Sequence, residues 1–441
     1  MKGFQTGWFW GLFALWGLVL SQVQAAPLQI QTWYTPKGSK VLFVHAPDIP
    51  MVDVQISFDA GSARDGEHWG LANLTAGLVS AGTQQHSEDE ISEIFNRYGA
   101  IFAQEVDRDR ALFSLRTLTR KANYQATTQL FAEVLGLPIF PKRVFEREQA
   151  NFIEALKQKK VKPSIIASEA FWQALYGEHP YAHPVSGTQA SLKLLKPEQL
   201  QAFHQKYYTA KNATLAIVGA INLEQAKQLA QTLTQHLPKG HRLKSIPKVT
   251  MPAQAKSQVI DFKSSQTHYY LGQIAVQRGN PDYYALFLGN HLLGGSGFAS
   301  LLMQSVREDR GLVYSVYSYL APMRQPGPFV VSLSTQNAKA KEADQVVQET
   351  LHRFMQGDFS EQKLQAIKDN LIGGFPLRLD SNKKIVQYLS MMAFYDLPID
   401  YLQTFVQNIA ALTKADVLAA WQKHMHPNKM VKVMVGQPKL K

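Results

Sequence analysis

The chain has 441 residues; 45% are hydrophobic, 46 are Lys or Arg and 34 are Asp or Glu, giving a formal net charge of +12. It contains no cysteine, which excludes disulfides and thiol catalysis and leaves the redox compartment open. Length and apolar content suffice for more than one core. The basic residues are scattered and no nucleic-acid motif occurs among them, so the charge suits acidic peptides, a negative membrane face or an acidic partner better than nucleic acid.

Residues 1–26 lie outside the predicted fold. Lys2 gives a positive start, Trp8 to Leu20 is an uncharged apolar run, and Val23-Gln24-Ala25 fits a small-x-small cleavage site. This reads as a secretory signal cut after Ala25 or Ala26, with an uncleaved N-terminal anchor as the alternative. The expected location is therefore periplasmic or secreted. No later stretch is apolar enough to span a membrane.

The remainder reads as two homologous halves, 27–236 and 259–441, joined by a Pro-, Lys- and Ser-rich linker over 237–258. In the first half, Val52 to Phe58 alternates as a strand does and Gly70 to Ala81 is a small-residue helix. Ser87-Glu88-Asp89-Glu90 is a capping box opening a helix that Gly99 ends. Strands follow at 101–105 and 111–117, helices at 121–135 and 143–160, and a closing strand at 213–218. The second half repeats this order loosely. A strand is predicted at 269–274, a helix at 282–293, a glycine turn at 294–297 and a helix at 299–307. Strands follow at 312–319 and 327–334, a long helix opens at Ser360, and 430–435 closes the half. The glycine turn lacks the Lys-Ser/Thr ending of a phosphate loop and does not follow a strand.

The segment 58–86, FDAGSARDGEHWGLANLTAGLVSAGTQQH, together with HPYAHPVSG at 179–187 and the Phe203-His204 to Tyr208 segment, resembles the pitrilysin / mitochondrial-processing-peptidase (inverzincin) family of zinc peptidases. The resemblance covers nearly all of the chain after residue 26. It implies an α+β fold of two homologous domains, each a mostly antiparallel sheet backed by helices. Catalytic members carry His-x-x-Glu-His on the helix of this segment. Residues at i and i+4 share a helix face, so two imidazoles grip one zinc while the Glu activates its water. Here those places hold Asn73, Ala76 and Gly77. The family's distal Glu ligand, counted by the customary interval, falls on Glu154, which reads otherwise as a solvated residue of a charged helical face. No zinc is expected in this chain. His179 and His183 are followed by prolines, and nothing completes a ligand set around His424 and His426.

Residues 301–319, LLMQSVREDRGLVYSVYSY, carry an Arg and a Tyr seven positions apart, Arg307 and Tyr314. In the family such a pair reaches toward the zinc site, so the resemblance implies that these two hold the substrate backbone. Read alone, Arg307 suits a helix C-terminus and Tyr314 an ordinary strand aromatic. Arg310 has the wrong spacing to Tyr314.

Bacterial members of the family include pairs of short chains, one with the zinc motif and the other with the Arg/Tyr pair. The sequence fits the second type, inactive alone, with a paralogous chain bearing intact His-x-x-Glu-His as partner and a peptide or unfolded segment as substrate. The alternatives are a scaffold or peptide-binding protein without proteolytic role, and a peptidase active alone through another site.

Overall fold

The computed structural model describes residues 28–241 and 243–440; the expected signal segment lies outside them. The first half contains β1 (Gln31–Tyr34), β2 (Lys40–His45), β3 (Met51–Phe58), α1 (Leu71–Gly77), α2 (Glu88–Arg97), β4 (Ile101–Val106) and β5 (Ala111–Leu118). It continues with α3 (Lys121–Gly136), α4 (Lys142–Lys160), α5 (Pro163–Tyr176), α6 (Gln189–Lys193), α7 (Pro197–Tyr207), β6 (Ala213–Gly219) and α8 (Leu223–Thr234). The second half contains β7 (Lys256–Asp261), β8 (Gln266–Ile274), α9 (Tyr283–Asn290), β9 (Val313–Leu320) and β10 (Pro328–Gln336). After these come α10 (Ala340–Met355), α11 (Glu361–Gly373), α12 (Asn382–Phe394), α13 (Tyr401–Ala411), α14 (Lys414–His424) and β11 (Val431–Gly436).

The expected α+β architecture is present, and the strand order is duplicated between the two halves. The first sheet runs β1-β2-β6-β3-β5-β4 and the second β7-β11-β8-β10-β9. Apart from β1, each strand of one sheet has its counterpart at the same place in the other. β2 and β6 pair parallel, as do β7 and β11, while every other neighbour is antiparallel. Between β5 and β6, as between β10 and β11, lie five α-helices.

The two halves exchange one helix each. Val52, Val54, Ile56 and Phe58 of β3 face the first half's own core, while Asp53, Gln55 and Ser57 point to the opposite face, yet all seven are buried. The second half supplies the cover: α12 lies across β2, β3 and β6, and Ser390 meets Ser57 at 3.1 Å. Reciprocally, α5 crosses β8 and β11. Phe171 of α5 sits 5.8 Å from the Tyr270 ring. Gly272 is required beneath it, since a Cβ there would stand 2.1 Å from the Phe329 carbonyl oxygen. This is why α5 is apolar on most of its circumference: one side meets its own half and the other the partner sheet.

Several boundaries differ from the sequence reading. The helix expected over 70–81 is regular only to Gly77 and ends in turns. The helix expected over 282–293 passes from α9 into a π-helix, His291–Gly295, so no turn begins at Gly294. The helix expected over 299–307 is a 3-10 turn followed by a π-helical stretch, Met303–Glu308. Residues 256–258 of the expected linker belong to β7, Ala255 donates to the Asn428 carbonyl of the second half, and parts of what precedes are tied to the first half. The carbonyls of Pro238 and Lys239 accept from Ala210 and Lys211, and that of Lys244 from Arg64.

Candidate functional site

The helix of the degenerate motif is built as a ligand platform would be. Asp65 caps α1, one carboxylate oxygen accepting from the Gly70 N–H at 2.8 Å and the other from Ala72 at 2.7 Å. Gly70 adopts φ +94°, a left-handed conformation open to glycine at little cost. Leu71, Ala72, Leu74 and Thr75 are buried, whereas Asn73, Gly77 and Ser80 form a half-exposed stripe at helical spacing. Ala76 is buried. The stripe therefore carries a carboxamide and a glycine where a zinc site needs imidazoles, and beside it the buried Ala76 gives a methyl group where the site needs a carboxylate. These residues do not fit the metal. Among the described residues no group of three or more His, Cys, Asp or Glu is placed to hold a metal ion.

Glu154 does not face this stripe. Its carboxylate pairs with Lys157 at 2.8 Å on the open surface of α4, and Gln158 donates to it at 3.3 Å; Lys157 holds its pKa below the usual range. The α4 side chain against Gly77 is Phe152, whose ring lies 3.3 Å from the position a Cβ on Gly77 would take. Helical residues advance by about 100° each, so Glu154 is about 200° away from that direction. Glu154 thus lies where a solvated residue of a charged helical face would, and Phe152 lies against Gly77 of the motif.

Arg307 and Tyr314 are brought together. Val306 and Met303 anchor the π-helical stretch in the core, and Val313 and Val316 anchor β9. Tyr314 is thereby turned outward, with 84% of its surface exposed. The Arg307 guanidinium carbon lies 5.2 Å from the Tyr314 ring centre and 4.6 Å from that of Phe298. β9 is the edge of its sheet, so an extended segment can approach its free backbone beside a cation and a phenol hydroxyl. Arg310 turns elsewhere, toward Glu342 at 4.0 Å. Within the chain the two constellations remain apart: α1 packs on α7, β4 and β5, the Arg307 stretch on β9 and α10. In the two repeats α1 corresponds to α9, each packed on the last helix before the closing strand of its half, and the Arg307 stretch corresponds to α2.

A polar cluster that motif reading missed ties the halves together. Asp109, in the turn between β4 and β5, accepts from the Tyr181 hydroxyl of the HPYAHPVSG loop. Its other oxygen accepts from the Arg324 N–H at 2.7 Å and the Tyr395 hydroxyl at 2.9 Å, both in the second half. Burial raises the Asp109 pKa, against the three hydrogen bonds. The loop's histidines are structural: His183 stacks on Trp69 at 5.3 Å and His179 bonds the Pro247 carbonyl at 2.9 Å. The local sequence signal for this cluster was the acidic-basic run DRDR at 107–110.

Comparison with known proteins agrees with this geometry. The family model described as "Insulinase (Peptidase family M16)" matches residues 40–189, and that described as "Peptidase M16 inactive domain" matches residues 195–371. The crystal structure of a peptidase M16 inactive domain from Pseudomonas fluorescens is 38% identical with a TM-score of 0.90, over 93% of this chain and 98% of that one. The "Uncharacterized zinc protease YmxG" of Bacillus subtilis is 24% identical over 80% of this chain and 85% of its own. The "Non-peptidase homolog YmxG" of Helicobacter pylori is 23% identical over 89% and 90%.

Proposed function

The chain belongs to the M16 (insulinase, pitrilysin) peptidase family, and from that premise we propose that it is the non-catalytic, substrate-holding subunit of a heteromeric zinc peptidase. A paralogous chain with intact His-x-x-Glu-His carries the zinc. This chain contributes Arg307 and Tyr314, and the substrate is a peptide or an unfolded protein segment. The complex works in the periplasm or outside the cell, to which residues 1–26 direct the chain.

The observation that carries the reading is the contrast between the two constellations. The zinc stripe is chemically empty, at Asn73, Ala76 and Gly77. The Arg/Tyr pair is intact, oriented and turned outward on an edge strand. An arginine always charged and a phenol hydroxyl on a rigid ring are donors suited to peptide carbonyls and to the oxyanion formed when one is attacked.

The reading is tested by affinity purification of the chain from its native host. The expected co-purifying protein is a similar-sized paralogue with an intact zinc motif, and the mixture should cleave unfolded protein while neither chain does alone. Recovery of the chain alone, with no peptidase activity gained on adding such a paralogue, supports the scaffold reading instead.

A further inference from the structure

A second polar feature lies at the seam between the halves, away from Arg307. Arg108, in the turn between β4 and β5, lies over the Trp172 ring at 3.4 Å, and Trp172 is itself stacked on Tyr176 at 5.2 Å. Its Nε donates to the Tyr181 carbonyl oxygen at 2.8 Å. Among the described residues no carboxylate pairs with it, and the N–H groups of its terminal nitrogens have no protein acceptor. Burial pulls its pKa down to about 10, with the nearby Tyr176 and Asp107 opposing.

Arg108 lines a cavity of about 370 Å³ together with Ser164, Ser168 and Glu169 of α5 and Tyr270 of β8. Ser164 stands in the first turn of α5, where free N–H groups and the helix dipole favour negative charge. Both halves of the molecule thus contribute to the walls. We propose that this cavity binds a small organic carboxylate, gripped by the guanidinium of Arg108. The planar fork of N–H donors, held against Trp172, matches a carboxylate in two-point contact. The hydroxyls of Ser164 and Ser168 supply further donors. Glu169 sets the balance of charge on the wall: burial raises its pKa, with Lys160 and Lys159 opposing. A carboxyl there donates to an anion when protonated and repels it when ionised. The site needs neither zinc nor a partner chain.

The test is ligand-observed NMR on the full chain with acetate, glutarate and inorganic phosphate, in about 0.15 M chloride to screen weak surface attraction. Saturable binding of a carboxylate is expected. Arg108→Met should weaken it by at least about 10-fold, the scale of a lost charge-assisted hydrogen bond, and Glu169→Gln should tighten it. Should Arg108→Met fail to fold, Ser168→Leu fills the cavity while keeping the charge, and should abolish binding with an unchanged melting curve. No saturable binding, equal binding by the cavity-filled variant, or phosphate held more tightly than either carboxylate would overturn the proposal.

Discussion

The Arg307 guanidinium lies 5.2 Å from the Tyr314 ring centre, although the intervening chain leaves a π-helical stretch, turns at Gly311 and enters an edge strand. The contact is a cation–π pair at an open surface, worth about 0.5–1 kcal/mol. That is too little to explain the arrangement as a stability device. It does bias the two side chains toward one side of the edge strand.

Restoring the zinc motif requires a change on α4 as well. Asn73→His, Ala76→Glu and Gly77→His together should bind zinc only weakly, because Phe152 occupies the wall and Glu154 points to solvent. Adding Phe152→Glu should bring affinity up by at least about 10-fold, since it supplies a third protein ligand. Calorimetric titration with zinc compares the triple and quadruple variants. Equal tight binding by both would show that Glu154 swings in after all.

The seam cluster should be worth more than any surface ion pair. Asp109→Ala leaves the Tyr181 hydroxyl, the Tyr395 hydroxyl and the Arg324 N–H without their acceptor, and should cost about 2–4 kcal/mol in denaturant unfolding. Tyr395→Phe removes one donor and should cost about 1 kcal/mol. A loss below that of Tyr395→Phe in the Asp109 variant would mean that water replaces the carboxylate freely.

Acid should destabilise the protein through buried histidine. His204 donates to the Leu135 carbonyl at 2.8 Å, and burial pulls its pKa down to about 4 from an ordinary value near 6.5. Between those two pH values the unfolded chain binds a proton that the folded chain does not, so stability falls as pH drops through the window and is flat above it. The full contribution is about 3 kcal/mol. His291, likewise depressed to about 4 by burial, adds in the same direction. Melting temperatures of the wild type and His204→Gln between about pH 7 and pH 4 should converge at the acid end.

The helix exchange predicts that neither half folds alone. Residues 27–236 without α12 would expose the face of β3 that carries Asp53, Gln55 and Ser57, and residues 256–441 would lack α5. A cut within 237–255 should be tolerated when both pieces are present. Limited proteolysis and circular dichroism of single and co-refolded halves make the comparison. A stable isolated half would contradict the role given to the exchanged helices.

Much of this was readable from residues alone. The alternation of β3, the strands read at 111–117 and 269–274, and the Ser87–Glu90 capping box, whose Glu90 carboxylate accepts from the Ser87 N–H at 2.8 Å, are local signals and appear where expected. The exchange of α5 and α12 was not readable, because nothing in PSIIASEAFWQALY says which sheet its second apolar side will meet. β1 and β2 were missed for a related reason: β2 earns its place by parallel pairing with β6, about 170 positions away in sequence. The motif positions Asn73, Ala76 and Gly77 were found by spacing within one helix, which is rigid. Which way Glu154 faces was not legible, because the count to it runs across two helices and several turns, where a shift of two residues reverses a helical face.

The central claim is that Arg307 and Tyr314 complete an active site whose zinc belongs to another chain. Peptide turnover by the reconstituted pair tests it most directly. With Arg307→Ala or Tyr314→Phe, assembly and melting temperature should be unchanged while turnover falls by about 10-fold to 10³-fold, the range for a lost substrate-positioning or oxyanion donor. Arg310→Ala, directed toward Glu342, should leave the rate within about 2-fold of wild type. Full turnover in the Arg307→Ala/Tyr314→Phe double variant would contradict the account and leave this chain a scaffold.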